Sequence, residues 1–198
     1  MKFMSASRVT ALLAVWFTNT LFAPGQAQLV IDVTGAGASR IPIAIAEFSG
    51  DRVVSQALTS VVRSDLERSG LFKLIDITTP VGAGDTPPYA DLKARGADAV
   101  LGGSVSPVAD GRYETRLLLA DVPKQTAIAT QSYAHTSGQL RATAHRISDF
   151  VYSKLTGEPG IFSTRIAYIV KTGKRYELQV ADADGANSQS ALASNEPI

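Results

Sequence analysis

The sequence contains no cysteine. Without thiols, the chain can form no disulfide bonds, offers no thiolate ligands to a metal and has no cysteine to which a lipid anchor could be attached. Its fold must therefore be stabilised by a hydrophobic core. Since 45% of the residues are hydrophobic and 19% are charged, the composition is that of an ordinary globular protein.

The chain also has little net charge and only two histidines. The 19 lysines and arginines are balanced by 18 aspartates and glutamates, and no basic stripe is present that could neutralise a phosphate backbone. We therefore expect no nucleic-acid partner. The two histidines, His135 and His145, do not have the spacing that places two metal ligands on one helical face. We expect them to be surface or capping residues.

The N-terminus has the pattern of a signal peptide. Two basic residues precede an apolar run over residues 9–22, and a proline and a glycine follow before the small residue Ala27. The run is shorter than the roughly 20 residues that a membrane-spanning helix needs. We expect residues 1–27 to be a cleaved signal peptide and the rest of the chain to be exported. A retained anchor and a buried helix are the alternatives.

A short strand is predicted directly after this segment, because four of five consecutive residues are apolar: Leu29, Val30, Ile31, Asp32 and Val33. The small residues that follow include Gly35 and Gly37, and they predict a flexible hinge. The strand could therefore dock against the domain or swing free. A further strand is expected over residues 41–48.

The region up to residue 157 alternates between helix and strand patterns. Apolar residues at three- and four-residue spacing predict a helix over residues 53–69, ended by Gly70 and followed by a strand over residues 72–75. Three acids at the start or on the outer faces of this helix are expected to be solvated: Asp51, Asp65 and Glu67. A crossover between parallel strands should be right-handed.

The second half of this region adds further elements of both kinds. We predict a short helix over residues 89–95, a buried strand over residues 99–105, a hairpin over residues 113–122 and 127–134, and a helix capped by Ser137 and ended by Gly157. Residues 28–157 should therefore form an α/β domain with amphipathic helices.

The pattern changes after Gly157. Apolar residues alternate over residues 166–170 and 176–180, which predicts strands of an all-β unit, and a polar tail follows. Two or three strands offer too few partners to bury a sheet face. We therefore interpret residues 158–198 as a linker and the start of an incomplete β unit.

No motif predicts catalysis or cofactor binding. The glycine run at residues 35–37 lacks the third glycine and the following helix of a dinucleotide site. Asp182, Asp184 and Gly185 resemble the start of a calcium loop, but Ala193 occupies the position of its last acidic ligand, so a hairpin turn is favoured. No Gly-x-Ser-x-Gly sequence is present. We expect no enzyme activity, no metal, no cofactor and no small-molecule substrate.

From Leu29 to about Gln189 the chain resembles the TolB family of the bacterial Tol-Pal envelope system. The resemblance is carried by five segments in this order: LVIDVTGAGASRIPIAIAEF, VVRSDLERSGLFKLID, GADAVLGGSV, KLTGEPGIFSTRIAYIV and YELQVADADG. TolB-like proteins have an N-terminal α/β domain, with a mixed sheet flanked by amphipathic helices, followed by a six-bladed β-propeller. The resemblance implies that residues 158–198 include the first strands of a truncated propeller.

The resemblance also implies a function. TolB-like proteins are periplasmic, non-enzymatic adaptors that help to maintain outer-membrane integrity and outer-membrane invagination during cell division. Their N-terminal strand binds the periplasmic domain of TolA, and that strand corresponds here to residues 29–33. The propeller binds Pal, and because nearly all of it is missing here, the resemblance does not extend Pal binding to this chain. The sequence is compatible with a fragment, a truncated gene product or a shortened paralogue.

Two other classes of protein remain as alternatives. A curli-secretion-type periplasmic or outer-membrane assembly factor has a similar helix and strand, although such proteins usually carry a lipobox cysteine, which is absent here. An enzyme acting on a nucleotide or a sugar would need a cleft of titratable groups, which the sequence does not indicate.

Overall fold

The computed structural model describes residues 40–198. The predicted signal peptide, the predicted strand at residues 29–33 and the glycine hinge lie outside the described residues. Within residues 40–198 the chain forms nine strands and three α-helices. In chain order they are β1 (Ile41–Ile45), β2 (Ser49–Gly50), α1 (Arg52–Arg68), β3 (Phe72–Ile75), α2 (Tyr89–Ala94), β4 (Ala99–Pro107), β5 (Arg112–Asp121), β6 (Thr126–Thr136), α3 (Leu140–Thr156), β7 (Arg165–Thr172), β8 (Arg175–Asp182) and β9 (Gln189–Ser194).

The larger sheet is mixed, as predicted. Its strand order is β3-β1-β4-β5-β6, and the short strand β2 pairs with β4 outside this path. β1 runs parallel to both β3 and β4, whereas β4, β5 and β6 are antiparallel neighbours. The parallel part contains the strand-helix-strand unit β1-α1-β3, and the antiparallel part contains the predicted hairpin.

Helix α1 forms where the apolar period predicts it. The Asp51 side chain caps its N-terminus by accepting hydrogen bonds from the amides of Val53 and Val54, at 3.0 and 3.1 Å. Gly70, with a φ of +74°, takes the left-handed conformation that ends the helix. The apolar stripe along the helix is buried in the core, as the spacing predicts: Val54, Leu58, Val62 and Leu66.

Helix α3 packs in the same core cluster as α1. A short 3-10 turn over Ser137–Gln139 precedes it, and the cap differs from the prediction. Thr136, rather than Ser137, forms a capping box with Gln139, because the Thr136 hydroxyl is the one placed to accept from the first turn. At the other end Gly157, with a φ of +80°, is the predicted terminator.

The middle strand β4 is buried, as predicted, and its two glycines permit close packing. A Cβ atom added at Gly102 would lie 2.7 Å from Cγ1 of Val81, and one added at Gly103 would lie 2.9 Å from Cγ of Phe48. These distances are too short for a side chain. The Gly-Gly pair therefore lets one segment pack directly on the strand backbone, on each face of the sheet.

The C-terminal strands form a separate antiparallel sheet in the order β7-β8-β9. The segment predicted to be a polar tail contains strand β9. This strand pairs with β8 through its backbone, although most of its side chains are exposed. Every residue of β7 is exposed, as is Leu192 of β9. In the part of the chain from residue 40 onwards, no helix is long and apolar enough to cross a membrane.

Candidate functional site

A cluster of buried polar side chains joins α1, α3 and the turn between β8 and β9. The Asp65 carboxylate of α1 lies 2.7 Å from Nδ1 of His145 and accepts a 2.8 Å hydrogen bond from the Ser148 hydroxyl, both on α3. The other ring nitrogen, Nε2 of His145, lies 3.5 Å from a carboxylate oxygen of Asp184. The three ionisable side chains are 2–3% exposed, so water screens their charges little.

The geometry of the two helices places these groups together. His145 and Ser148 are three residues apart on α3, which puts them on one face of that helix. Asp65 lies between Val62 and Leu66, on the buried side of α1. The prediction that Asp65 is solvated is therefore wrong, whereas its neighbour Glu67 is exposed as expected.

The predictions for the two histidines are also wrong. His145 is 2% exposed within the cluster, and His135 is 2% exposed in β6. Nε2 of His135 lies 2.9 Å from the Thr115 hydroxyl, and its ring stacks on Tyr113. Both histidines are buried because a polar partner from another element meets the ring, which sequence spacing does not reveal.

The Asp184 carboxylate is paired with a cation and with the backbone of its own turn. Arg141 of α3 donates to one carboxylate oxygen, and the amide of Ala186 donates to the other at 3.0 Å. Burial raises the pKa of Asp184, but the Ala186 amide and the Arg141 guanidinium outweigh this effect and bring the pKa below its ordinary value. Asp184 is therefore ionised at neutral pH.

His145 has the opposite tendency. The hydrogen bond with Asp65 raises its pKa above 6.5, and the negative charges of Asp65 and Asp184 add to this, while burial and Arg141 lower it. The net pKa is raised. The site thus favours the imidazolium form more than water does.

The cluster does not have the arrangement of a metal site. Ligand atoms of Asp65, His145 and Asp184 lie within 4.8 Å of one another. However, one Asp65 oxygen already contacts Nδ1 of His145 and the Ser148 hydroxyl, so groups of the protein itself pair the atoms that a metal ion would need. Arg141 also occupies the Asp184 oxygen that faces the ring. The arrangement is a buried ion cluster.

A cleft of about 280 Å³ lies beside the ion cluster. Its lining comes from α1, α3, the segment after α3 and the β8–β9 turn: Asp65, Arg68, Ser69, Tyr152, Pro159, Ile161, Phe162, Ala183 and Asp184. The segment after α3 is attached independently of His145, because the Asp149 carboxylate accepts hydrogen bonds from the amides of Phe162 and Ser163, at 2.7 and 3.1 Å.

The other sites considered from the sequence have different outcomes. The partner-binding strand at residues 29–33 and the hinge residues Gly35 and Gly37 precede the described residues. The Asp182–Gly185 segment forms the predicted turn, in which the amide of Gly185 donates to the carbonyl of Asp182 at 2.8 Å. The ion cluster itself was missed. Its one sequence signal is that Asp65 continues the buried stripe of Leu58 and Val62 at helical spacing.

A comparison with protein families adds the decisive observation. The family model for the TolB amino-terminal domain matches residues 29–128, which is half of the chain. The chain belongs to the TolB family. The match begins at Leu29, the first residue of the strand predicted to bind a partner. Membership also confirms the expectation of a non-enzymatic Tol-Pal component.

Curated TolB relatives are similar over most of this chain. The Tol-Pal system protein TolB of Aromatoleum aromaticum is 59% identical over 176 residues, which cover 87% of this chain and 41% of the relative. TolB of Polaromonas naphthalenivorans is 50% identical over 195 residues, covering 98% of this chain and 45% of the relative. The chain therefore spans somewhat less than half the length of these TolB proteins.

A solved structure supports the same fold. The crystal structure of TolB from Acinetobacter baumannii is 33% identical in sequence and superposes with a TM-score of 0.71, covering 81% of this chain and 40% of that one. The mixed sheet with its helices and the small antiparallel sheet thus correspond to the N-terminal part of a TolB protein.

Proposed function

We propose that this protein is a periplasmic adaptor of the Tol-Pal system, which supports outer-membrane integrity and outer-membrane invagination during division by binding TolA through residues 29–33. Membership of the TolB family supports a role in the Tol-Pal system. The family match, which begins at Leu29, supports the choice of residues 29–33 as the binding segment. The signal-peptide pattern over residues 1–27 supports a periplasmic location.

Strand addition is a suitable binding mechanism for this segment. An extended strand gives main-chain hydrogen bonds to an exposed sheet edge, while alternate side chains enter pockets of the partner. Leu29, Ile31 and Val33 would share one face of such a strand, with Val30 and Asp32 on the other. The glycines at 35 and 37 allow the strand to leave the domain without moving β1.

We expect the domain to fold without residues 29–33. Strand β1 begins at Ile41, whose amide donates to the carbonyl of Leu71 at 2.8 Å, and the core residues of the larger sheet all follow this point among the residues described. A chain that starts at Ile41 should therefore keep its fold. This makes truncation a clean test of binding.

The test is a titration of the periplasmic domain of TolA against the chain without its signal peptide and against a version starting at Ile41. The longer chain should bind and the shorter chain should not, with circular dichroism showing equal folding. Equal affinity would contradict binding through residues 29–33, and no binding by either chain would contradict TolA as the partner.

A pair of point variants tests the strand mechanism itself. Ile31→Pro removes a backbone donor and should weaken binding strongly, since proline is not tolerated within a paired strand. Asp32→Ala lies on the opposite face, keeps the backbone donor and should change affinity little. Similar losses in both variants would argue against strand addition.

Pal is left out of the proposal. The resemblance assigns Pal binding to the propeller, and this chain spans somewhat less than half the length of the TolB proteins that it matches.

A further inference from the structure

The ion cluster contains one polar atom without a partner. Nε2 of His145 is buried and makes no hydrogen bond, although a carboxylate oxygen of Asp184 lies 3.5 Å away. If the ring is neutral and its Nδ1 proton is donated to Asp65, the lone pair of Nε2 lies near a negatively charged oxygen. If the ring is protonated, a positive charge lies 3.5 Å from that oxygen instead. The distance therefore favours the imidazolium form electrostatically.

Protonation also strengthens the charge pairing inside the cluster. With His145 protonated, two cations of α3 face two carboxylates, one from α1 and one from the β8–β9 turn. With His145 neutral, Asp65 keeps only Arg68, whose half-exposed guanidinium lies 3.7 Å from its other oxygen, so the pairing of the buried carboxylates is weaker. The charged or titratable groups that face His145 or its partners from the surrounding elements are Asp65, Arg68, Arg141, Arg146, Asp182 and Asp184.

We propose that His145 is a protonation-dependent latch that fastens the β8–β9 turn of the C-terminal sheet to helices α1 and α3. His145 bonds to Asp65 of α1 through Nδ1, and its Nε2 lies 3.5 Å from Asp184 of the turn. One proton therefore decides whether the ring attracts both carboxylates or bonds only to Asp65. When the latch opens, Asp184 keeps Arg141 but loses the ring, and the cleft between the helices and the turn is free to widen.

The direction of the pH effect follows from the negative charge of Asp184, which contributes to the raised pKa of His145 only while the turn is fastened. A group whose pKa is higher in the fastened state than in the open state contributes its stabilisation fully at pH values below the open-state pKa and loses it as pH rises through the fastened-state pKa. The turn should therefore be held more firmly at mildly acidic pH than at alkaline pH. Asp184 stays ionised over this range because its own pKa is lowered.

Hydrogen exchange of the turn is the direct measurement. The amide of Ala186 donates to Asp184, and the amide of Ala183 donates to the carbonyl of Thr164 at 3.1 Å, so both report on the fastened turn. In the chain without its signal peptide, their protection factors, corrected for intrinsic rates, should be several-fold higher at pH 5.5 than at pH 8.5. Each unit by which Asp184 raises the pKa of His145, measured as the difference between wild type and Asp184→Asn, corresponds to about a tenfold change.

Variants separate the latch from general stability. In His145→Asn the ratio of protection factors should fall to about one, because asparagine does not titrate. In Asp184→Asn, which keeps the bond between His145 and Asp65, the ratio should also collapse and the pKa of His145 should fall below its wild-type value. His135→Asn removes the other histidine, which bonds to Thr115 elsewhere, and should leave the ratio unchanged.

The imidazole nitrogens supply an independent readout. With only two histidines in the chain, nitrogen NMR spectra of wild type and His135→Asn assign the His145 signals and give its pKa. A pKa at or below 6.5, a flat protection profile in the wild type, or a pH-dependent profile that survives in His145→Asn would each overturn the proposal.

Discussion

Replacing Asp65 with alanine is the perturbation that most directly tests the buried ion cluster. The carboxylate bonds to His145 at 2.7 Å and to Ser148 at 2.8 Å, and it is 2% exposed. The variant would leave the His145 ring without its closest anion and the Ser148 hydroxyl without one of its two acceptors. Asp65→Ala should therefore destabilise the domain substantially.

The magnitude can be estimated from the contacts. Hydrogen bonds to a charged group contribute about 1.5–3 kcal/mol each. Removing one partner of a buried ion pair costs about 3–5 kcal/mol, because an uncompensated charge remains. These two estimates describe overlapping interactions, and the ring can lose its proton. We therefore expect a loss of about 3 kcal/mol in the free energy of unfolding near pH 6.

The assay is urea unfolding of the chain without its signal peptide, followed by circular dichroism, with Glu67→Ala as the matched control. Glu67 is also an acid of α1 but is exposed, so its removal should change stability by less than about 0.5 kcal/mol. If Asp65→Ala is as mild as the control, the cluster contributes no stability and the reasoning is refuted.

The pH dependence sharpens this test. Because the pKa of His145 is raised in the folded state, the stabilisation linked to its proton is present below pH 6.5 and disappears as pH rises through the raised pKa. The difference between wild type and Asp65→Ala should therefore be larger at pH 6 than at pH 8.5. A remainder should persist at high pH, since a neutral ring can still donate Nδ1–H to Asp65.

Other predictions concern the core and the helix ends. Leu58→Asp should unfold the domain because it places an unpaired charge at a fully buried position, whereas Val53→Asp, at a position 73% exposed, should leave the far-ultraviolet circular dichroism spectrum unchanged. Gly103→Ala should cost about 1–3 kcal/mol in urea unfolding, because its Cβ would lie 2.9 Å from Phe48. Gly157→Ala should lower the melting temperature, since alanine is strained at a φ of +80°. Ala142→Gly, inside α3, is the comparison, because there the helical backbone favours alanine over glycine.

Most of the secondary structure could be predicted because its signals are local. The apolar spacing of α1 and the glycines that follow α1 and α3 placed these helices to within a few residues. Strand β9 was missed for the opposite reason. Its side chains are mostly exposed, and it is a strand because its backbone pairs with β8, which no pattern within residues 189–194 records.

The site residues also include some that a local signal indicates and some that only tertiary packing brings together. The strand at residues 29–33 could be proposed as a binding segment from its own composition and from the resemblance to TolB, and it remains a prediction. The ion cluster could not be proposed, because Asp65 and His145 are 80 residues apart and meet only when α1 packs beside α3. The cap at Thr136 was missed by one residue, since Ser137 is an equally good capping residue by type.

The sequence by itself determined most of the elements, their order and the family, because periodicity, glycine positions and short matching segments are properties of neighbouring residues. Only the tertiary structure decided which acids and histidines are buried. A charged side chain is stable away from water only where a partner from another element meets it, and that meeting depends on how α1, α3 and the β8–β9 turn pack.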